Sequence, residues 1–347
     1  MKLLYGVVGE GMGHATRSRV VIDHLLNAGH ELHVVVSGRA FGFLHDRFAD
    51  RPRITVTEIA GLHMSYEGNS LALGRSVAEN LGKAPASLLR NLATWLRMDF
   101  EADAVISDFE SWAFFYGLNH LKPVISIDNM QVIHRCEHPE AITEAPHFRL
   151  ARAAVKAKLP GAHHYLVTTF FRPPLRKDRT TLVPPILRPE ILAARREPGK
   201  HVLVYQTGTS NEALIPELQR LPFEFRLYGM RRNAQLGNVR LCDFSEAGFI
   251  DDLRTARAVV AGGGFSLMSE AVHLGVPMFA VPLDGQYEQE LNARYLAMLG
   301  YGTFAERFDA DRIGEFVENA PERTGYLPRD NSELFDRVDA LLDELSG

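Results

Sequence analysis

The stretch from Ala261 to Gly302, AGGGFSLMSEAVHLGVPMFAVPLDGQYEQELNARYLAMLGYG, constrains this chain more than any other. It reads as the end of a strand, a glycine turn, a helix, a second strand, and a polar turn into another helix. Val259 and Val260 close an apolar strand, and Gly262, Gly263 and Gly264 let the backbone turn sharply and approach a ligand closely. Ser266 is the predicted N-cap of the helix, Gly275 stands just past its end, and Pro277 prevents its continuation. Ser266 and Glu270 are four residues apart and share one face near the helix N-terminus. Such a turn offers amide donors to phosphate, while a carboxylate one turn along accepts from a sugar diol. After a strand at Met278–Val281, the run GQYEQELNA places Glu288 and Gln289 at the start of the next helix, where they suit sugar hydroxyls.

The same alternation runs along the rest of the chain. Strands are predicted at Leu3–Val8, Leu32–Val36, Ile54–Glu58, Asp103–Ser107 and Val124–Ile127, with helices at Thr16–Asn27 and Trp112–Asn119. A second series follows: strand His201–Tyr205, helix Leu214–Arg220, strand Phe223–Tyr228, helix Phe249–Ala256, strand Ala258–Val260. Alternation of this kind implies parallel sheets covered on both faces. Between the series lies TLVPPILRPEILAARREPG, with four prolines from Pro184 to Pro198, the best linker in the chain. The predicted organisation is therefore α/β, with residues 1–184 as one domain, 185–199 as linker and 200–347 as the second. Return of the last helix to the first domain is the alternative for the C-terminus. Leu88, Leu92, Trp95 and Leu96 fall on one helical face, read as core packing, with a peripheral membrane or lipid contact as the competing reading.

A chain of 347 residues with 46% hydrophobic content buries ample core for two domains. Its net charge of −5 argues against a nucleic-acid binder, which needs a broad basic surface. Cys136 and Cys242 lack CxxC or His-rich company and read as reduced structural thiols. His163 and His164 point to opposite faces of a strand, and no carboxylate or cysteine completes a metal set, so no metal site is expected. The opening MKLLYGVVGEGMGH has too short an apolar run for a signal peptide, and no stretch approaches the ~18 apolar residues of a membrane span. The expectation is a soluble cytoplasmic protein, at most peripheral at the inner face of a membrane.

Gly9-Glu10-Gly11-Met12-Gly13-His14 follows the first strand and opens the first helix. Alone, it suggests a dinucleotide fingerprint. The third glycine of that fingerprint would fall at His14, however, and the second strand ends in Ser37-Gly38-Arg39 rather than in an acidic residue for an NAD ribose. An NADP reading through Arg39 stays open. Asp108, after the apolar run AVIS, stands at the carboxyl end of a strand, where open α/β sheets keep their sites; a plain helix N-cap is the alternative. His134, in DNMQVIH, is either an acceptor contact or a solvated loop histidine.

The C-terminal block resembles the donor-binding segment of GT-B glycosyltransferases, notably the bacterial lipid-II N-acetylglucosaminyltransferase and plant UDP-glucosyltransferase families. The shared pattern is glycine, Glu six residues on, GxP, then Asp/Glu-Gln-x-x-Asn-Ala; here it is Gly264, Glu270, Gly275-Val276-Pro277 and Glu288-Gln289-Glu290-Leu291-Asn292-Ala293. Leu267 stands where those families carry a hydroxyl, with Ser266 and Ser269 flanking it as candidates. The resemblance implies two Rossmann-like domains facing a cleft, the first binding acceptor and the second donor. It implies an inverting, metal-independent hexosyl- or N-acetylhexosaminyl-transferase that uses a UDP-sugar as co-substrate. The acceptor is a lipid carrier, a cell-envelope polymer or a small aglycone.

By the same resemblance the first loop, with Gly11 and Gly13, matches a GxGGH-type acceptor-side loop, and His14 is the general base. VISDFESWAFF resembles the V-x-D-x-F segment whose Asp pairs with that base, which gives Asp108 its role. Gly208, Thr209 and Ser210 match a turn beside the donor phosphates, though a plain strand–helix turn explains the residue types nearly as well. Gly248-Phe249-Ile250-Asp251-Asp252-Leu253 resembles an FIDDM element, which transfers contact with the nucleobase to Ile250 and a supporting role to Phe249. Two other classes stay open: an isomerase like the UDP-N-acetylglucosamine 2-epimerases, which share the fold, and a non-catalytic nucleotide-sugar binder.

Overall fold

The protein is described from a computed structural model, which covers residues 1–9, 11–61, 66–67, 70–71, 73–145, 147–206, 213–320 and 330–347. Two compact units partition the chain: Met1–Met64 with Leu73–Arg188 and Asp330–Gly347, and Ser65–Ala72 with Pro189–Arg329. In order, the first part of the chain runs β1 (Lys2–Val7), α1 (Met12–Asn27), β2 (Glu31–Ser37), α2 (Arg39–Phe48), β3 (Ile54–Ile59), the short strands β4 (Tyr66–Glu67) and β5 (Ser70–Leu71), and α3 (Leu73–Arg97). It continues through β6 (Ala104–Asp108), α4 (Ser111–Asn119), β7 (Val124–Asp128), α5 (Val132–Arg135), α6 (Glu140–Thr143), α7 (Phe148–Lys158), β8 (His164–Thr168) and β9 (Thr180–Val183).

The sheet of the first unit is parallel throughout and ordered β3-β2-β1-β6-β7-β8-β9. Its order reverses between β1 and β6, the switch point at which open α/β sheets form a crevice beyond their carboxyl ends. β6 (AVISD) and β7 (VISID) are buried along their whole length, as strands covered on both faces must be. Each nonetheless ends in buried polar residues, Ser107 and Asp108 or Ser126 and Asp128. Burying such groups costs free energy unless each finds a partner, so these strand ends mark a site.

The second unit holds α8 (Pro189–Leu192), β10 (Val202–Tyr205), α9 (Leu214–Gln219), β11 (Phe225–Tyr228), β12 (Ala234–Leu236), β13 (Val239–Cys242), α10 (Glu246–Thr255) and β14 (Ala258–Ala261). Then come α11 (Phe265–Leu274), β15 (Met278–Ala280), α12 (Tyr287–Met298), β16 (Gly302–Phe304) and α13 (Ala310–Glu318). Its sheet is ordered β12-β13-β11-β10-β14-β15-β16, parallel except for the β12–β13 pair. The last helix, α14 (Ser332–Ser346), packs Leu334, Val338 and Leu342 into the core of the first unit.

Two local expectations are corrected. The Leu88–Leu92–Leu96 stripe of α3 does not enter a core: those side chains are 68%, 54% and 76% exposed. Trp95 alone turns inward, meeting Trp112 edge-on at 5.3 Å and Tyr116 at 5.1 Å. In addition, α11 starts earlier than its hydroxyl suggests. Gly264 occupies the N-cap position with no side-chain cap, and Ser266 lies inside the first turn. The glycine turn already sets the helix direction, so no capping hydroxyl is required there.

Candidate active site

At the switch point of the first unit, β1 leads into α1 through Gly9 and Gly11, and Gly9 donates its amide to Ser37 Oγ at 3.2 Å. Gly11 is the N-cap of α1, which puts Gly13 and His14 in the first helical turn. His14 Nδ1 lies 2.9 Å from Asp108 Oδ1 at the end of β6. Sequence reasoning proposed that pair; it missed what lies beneath. Arg17, one turn further along α1 and 4% exposed, donates Nε to Asp108 Oδ2 at 2.9 Å and Nη2 to Asp108 Oδ1. Its Nη1 donates to Asn129 Oδ1 at 2.7 Å, and Ser18 Oγ donates to Asp108 Oδ2 at 2.9 Å. No local sequence signal marks Arg17 as buried; once buried, a guanidinium needs a carboxylate or carbonyl to receive it, and Asp108 and Asn129 do so.

The charges are settled by this network. Burial alone would raise the Asp108 pKa, but the Arg17 guanidinium and His14 outweigh it and hold the carboxyl well below the usual carboxylate range. Burial and then Arg17 lower the His14 pKa, against the pull of Asp108. Position in the first turn of α1 acts in the same direction, because the positive helix end disfavours imidazolium. His14 is thus a neutral imidazole whose side chain keeps 21% exposure, over a carboxylate that is 1% exposed. Arg17 Nη2 also lies 2.7 Å from His14 Nδ1 and competes with Asp108 for that nitrogen. A proton on Nδ1 serves Asp108 and leaves the Nε2 lone pair as a base.

The turn after β6 is built to hold Asp108 in place. Phe109 has a positive φ of 55°, costly for an aromatic residue, and Lys158 of α7 sits 4.1 Å over its ring. Glu110, not Asp108, caps α4, accepting from the amides of Trp112 at 2.9 Å and Ala113 at 2.7 Å. On β7, burial pushes Asp128 up to about 6, although Ser126 Oγ and the Gln131 amide both donate to it. Gln131 Nε2 is buried with no partner among the described residues. His134, on α5, is half-buried beside Arg176 and, among the described residues, makes no hydrogen bond that ties it to the His14 cluster.

In the second unit the glycine turn follows β14, next to β10. A Cβ on Gly263 would lie 2.1 Å from the Gln289 backbone oxygen, so only glycine lets α12 close on the turn. Gln289, expected as a sugar contact, and Asn292, expected in the donor-binding motif, are 7% and 1% exposed and hold the turn from beneath. Gln289 Oε1 accepts from the Gly263 and Leu283 amides, both at 3.1 Å, and Asn292 Nδ2 donates to the Gly263 carbonyl at 3.0 Å. Asn292 Nδ2 also donates to Glu288 Oε1 at 2.6 Å, which fixes that carboxylate at the start of α12. Ser266 is half-buried in the first turn of α11. Glu270 lies buried one turn further on, beside Ser269, whose Oγ is buried without a partner among the described residues.

Gly275, at φ 70°, ends α11 in the left-handed conformation; its amide donates to Val272 O and that of Val276 to Ala271 O. Phe249 of α10 packs edge-on against Tyr205 and Tyr228, and Ile250 beside it is 7% exposed. Gly208, Thr209 and Ser210 lie outside the described residues.

Two doubly wound sheets, each with a polar cluster at its switch point, define a protein of the GT-B glycosyltransferase class. Residues 1–321 match the family model Glycosyl transferase family 1, and the chain belongs to that family. It is 24% identical to an uncharacterized glycosyltransferase of Methanosarcina acetivorans over 328 residues, covering 87% of this chain and 85% of the relative. Among solved structures, MurG of Acinetobacter baumannii is similar with a TM-score of 0.59 at 13% identity, over 98% of this chain and 100% of MurG. Medicago truncatula UGT71G1 complexed with UDP-glucose is similar with a TM-score of 0.60 at 13% identity, over 100% of this chain and 98% of UGT71G1. Likeness at such identity speaks to the fold; the family match shows that the chain is a glycosyltransferase. Among the described residues, no helix is long and apolar enough to cross a membrane.

Proposed function

We propose that this glycosyltransferase is inverting and metal-independent, and that it moves a sugar from a UDP-sugar to an acceptor hydroxyl. The observation that carries the reading is the neutral His14 imidazole, pinned through Nδ1 over an ionised, arginine-clamped Asp108. In a direct displacement the acceptor oxygen attacks the anomeric carbon as the bond from that carbon to the diphosphate oxygen breaks and UDP leaves; the hydroxyl proton passes to a base, and the configuration inverts. His14 Nε2 takes that proton, and Asp108 compensates the imidazolium that forms. Arg17 keeps Asp108 ionised throughout, so the carboxylate orients the ring without competing for the proton.

The second unit takes the donor. The amides of the glycine turn and the N-terminal end of α11 face the diphosphate, Ser266 or Ser269 supplies a hydroxyl, and Glu270 accepts from the ribose diol. Ile250 and Phe249 contact the base, and Glu288, with Gln289 and Asn292 behind it, orients the sugar. An amide-rich helix start gives a diphosphate the positive potential that a divalent cation would otherwise supply. The likeness to a structure holding UDP-glucose supports UDP as the nucleotide. The acceptor is a lipid-linked, cell-envelope or small-aglycone hydroxyl.

The test is a thermal-shift panel of UDP-sugars and NADPH with EDTA present, since a ligand that binds only the native state raises the melting temperature. UDP-sugars are expected to stabilise the protein and NADPH to leave it unchanged. Stabilisation by NADPH with no effect of any UDP-sugar would overturn the donor assignment.

A further inference from the structure

The first unit carries a second concentration of charge that the proposed chemistry does not use. Arg149, Arg152 and Lys156 occupy positions i, i+3 and i+7 of α7 and so share one face of that helix. With Arg176 and Lys177, from the segment between β8 and β9, and with His134 of α5, they line a groove of about 480 Å³. None of the five cations is in an ion pair among the described residues. Arg176 Nε is buried with no partner among the described residues, while its Nη2 donates to the His134 carbonyl, which holds the guanidinium in the groove wall. Burial, and after it the charges of Arg176, Arg135, Arg152 and Lys177, push His134 down to about 4, so the ring faces the groove uncharged. In a chain of net charge −5, five cations in one groove, with Glu137 as the carboxylate that acts on Arg176, are not a consequence of composition. Like charges at helical spacing repel, so the groove destabilises the protein unless an anion occupies it.

We infer that this groove is a binding site for a multivalent phosphate group, of the diphosphate kind, distinct from the glycine turn of the second unit. Arginine forks suit phosphate oxygens bidentately, and a neutral His134 adds a donor without needing a counter-ion. The site stands whether or not the transferase reading holds, because it shares no residue with His14, Asp108 or the donor turn. The phosphate group could belong to a free compound or to a lipid headgroup, and Leu150 and Leu175, exposed beside the groove, suit the second source.

The experiment is calorimetric titration of inorganic pyrophosphate into the full chain with saturating UDP present, for wild type and for Arg149→Glu/Lys156→Glu. Both substituted side chains are exposed, and matching thermal melts would show that the variant folds. Wild type is expected to bind pyrophosphate and the variant to bind it roughly tenfold or more weakly, the loss of one or two charge-assisted contacts. Vesicles of phosphatidylcholine with and without phosphatidic acid, whose phosphomonoester can carry more than one charge, then separate the sources. Charge-dependent vesicle binding in addition assigns a headgroup, and pyrophosphate binding alone assigns a free ligand. Equal pyrophosphate affinity in both proteins, no binding by either probe, or vesicle binding without pyrophosphate binding would overturn the site.

Discussion

Arg17 changes what Asp108 is for. A carboxylate that serves only a histidine raises the histidine pKa, whereas here the carboxylate is answered by a guanidinium and His14 stays below its ordinary value. A base with a lowered pKa remains neutral further into acid, so the acid limb of kcat/KM should inflect below the ordinary histidine value of about 6.5. Asp108→Asn removes the charge that pulls the His14 pKa up and leaves buried Arg17 without its hydrogen-bonded counter-ion, with Asp128 the remaining carboxylate that acts on it. The variant should lose turnover, move its acid limb lower still, and lose about 3–5 kcal/mol of stability, as when one partner of a buried pair is deleted. A pH–rate profile and a denaturant melt check both; an unchanged melt would mean that Arg17 has another anion. The His14–Asp108 pair was legible in the sequence because a glycine loop and a strand end announce it. Arg17 was not, since its partner lies ninety-one residues away and nothing local marks a helical arginine as buried.

The glycine turn of the second unit is the element on which donor binding depends. Gln289 and Asn292 were read as ligand contacts, yet their amides fasten α12 to the turn. Gln289→Ala would strip the acceptor from two buried amides, those of Gly263 and Leu283, at about 1–3 kcal/mol for each group left unsatisfied. Stability and UDP-sugar affinity should therefore fall together, by melting and calorimetry; a loss of affinity with an unchanged melt would restore a purely ligand-facing role. Strand and helix order was readable wherever apolar runs alternate with helical stripes, as for β1, α1, β2 and β3 and from α10 to α12, whereas α2 and β13 were not read. The α3 stripe shows the limit. Helical periodicity says that Leu88, Leu92 and Leu96 share a face, but only the surrounding fold decides whether a core receives it, and none does.

Acid sensitivity should be distributed unevenly over the molecule. Burial lowers the pKa of His14, His33, His134, His138 and His164 in the first unit, and of His201 and His273 in the second. A histidine lowered on folding binds more protons when unfolded, so stability is lost as pH falls from about 6.5 toward the folded values. Asp108, lowered as well, adds loss in the same direction at more acid pH. Asp128 and Glu110, both raised, oppose the trend by favouring protonation in the native state. The histidines outnumber them, so calorimetry should show melting temperatures lower at about pH 5 than at about pH 7, with the first unit yielding first. A melting profile indifferent to pH across that window would show that these rings are solvated.

The central claim is that the two units divide the work: the second holds the donor and the first supplies the base. The measurement that tests it most directly is His14→Ala assayed for both quantities, donor affinity by calorimetry and turnover by sugar transfer. Donor affinity should stay within error of wild type, while kcat falls by about 10²–10⁴, the usual contribution of a general base. Wild-type turnover, or a loss confined to donor affinity, would contradict the account.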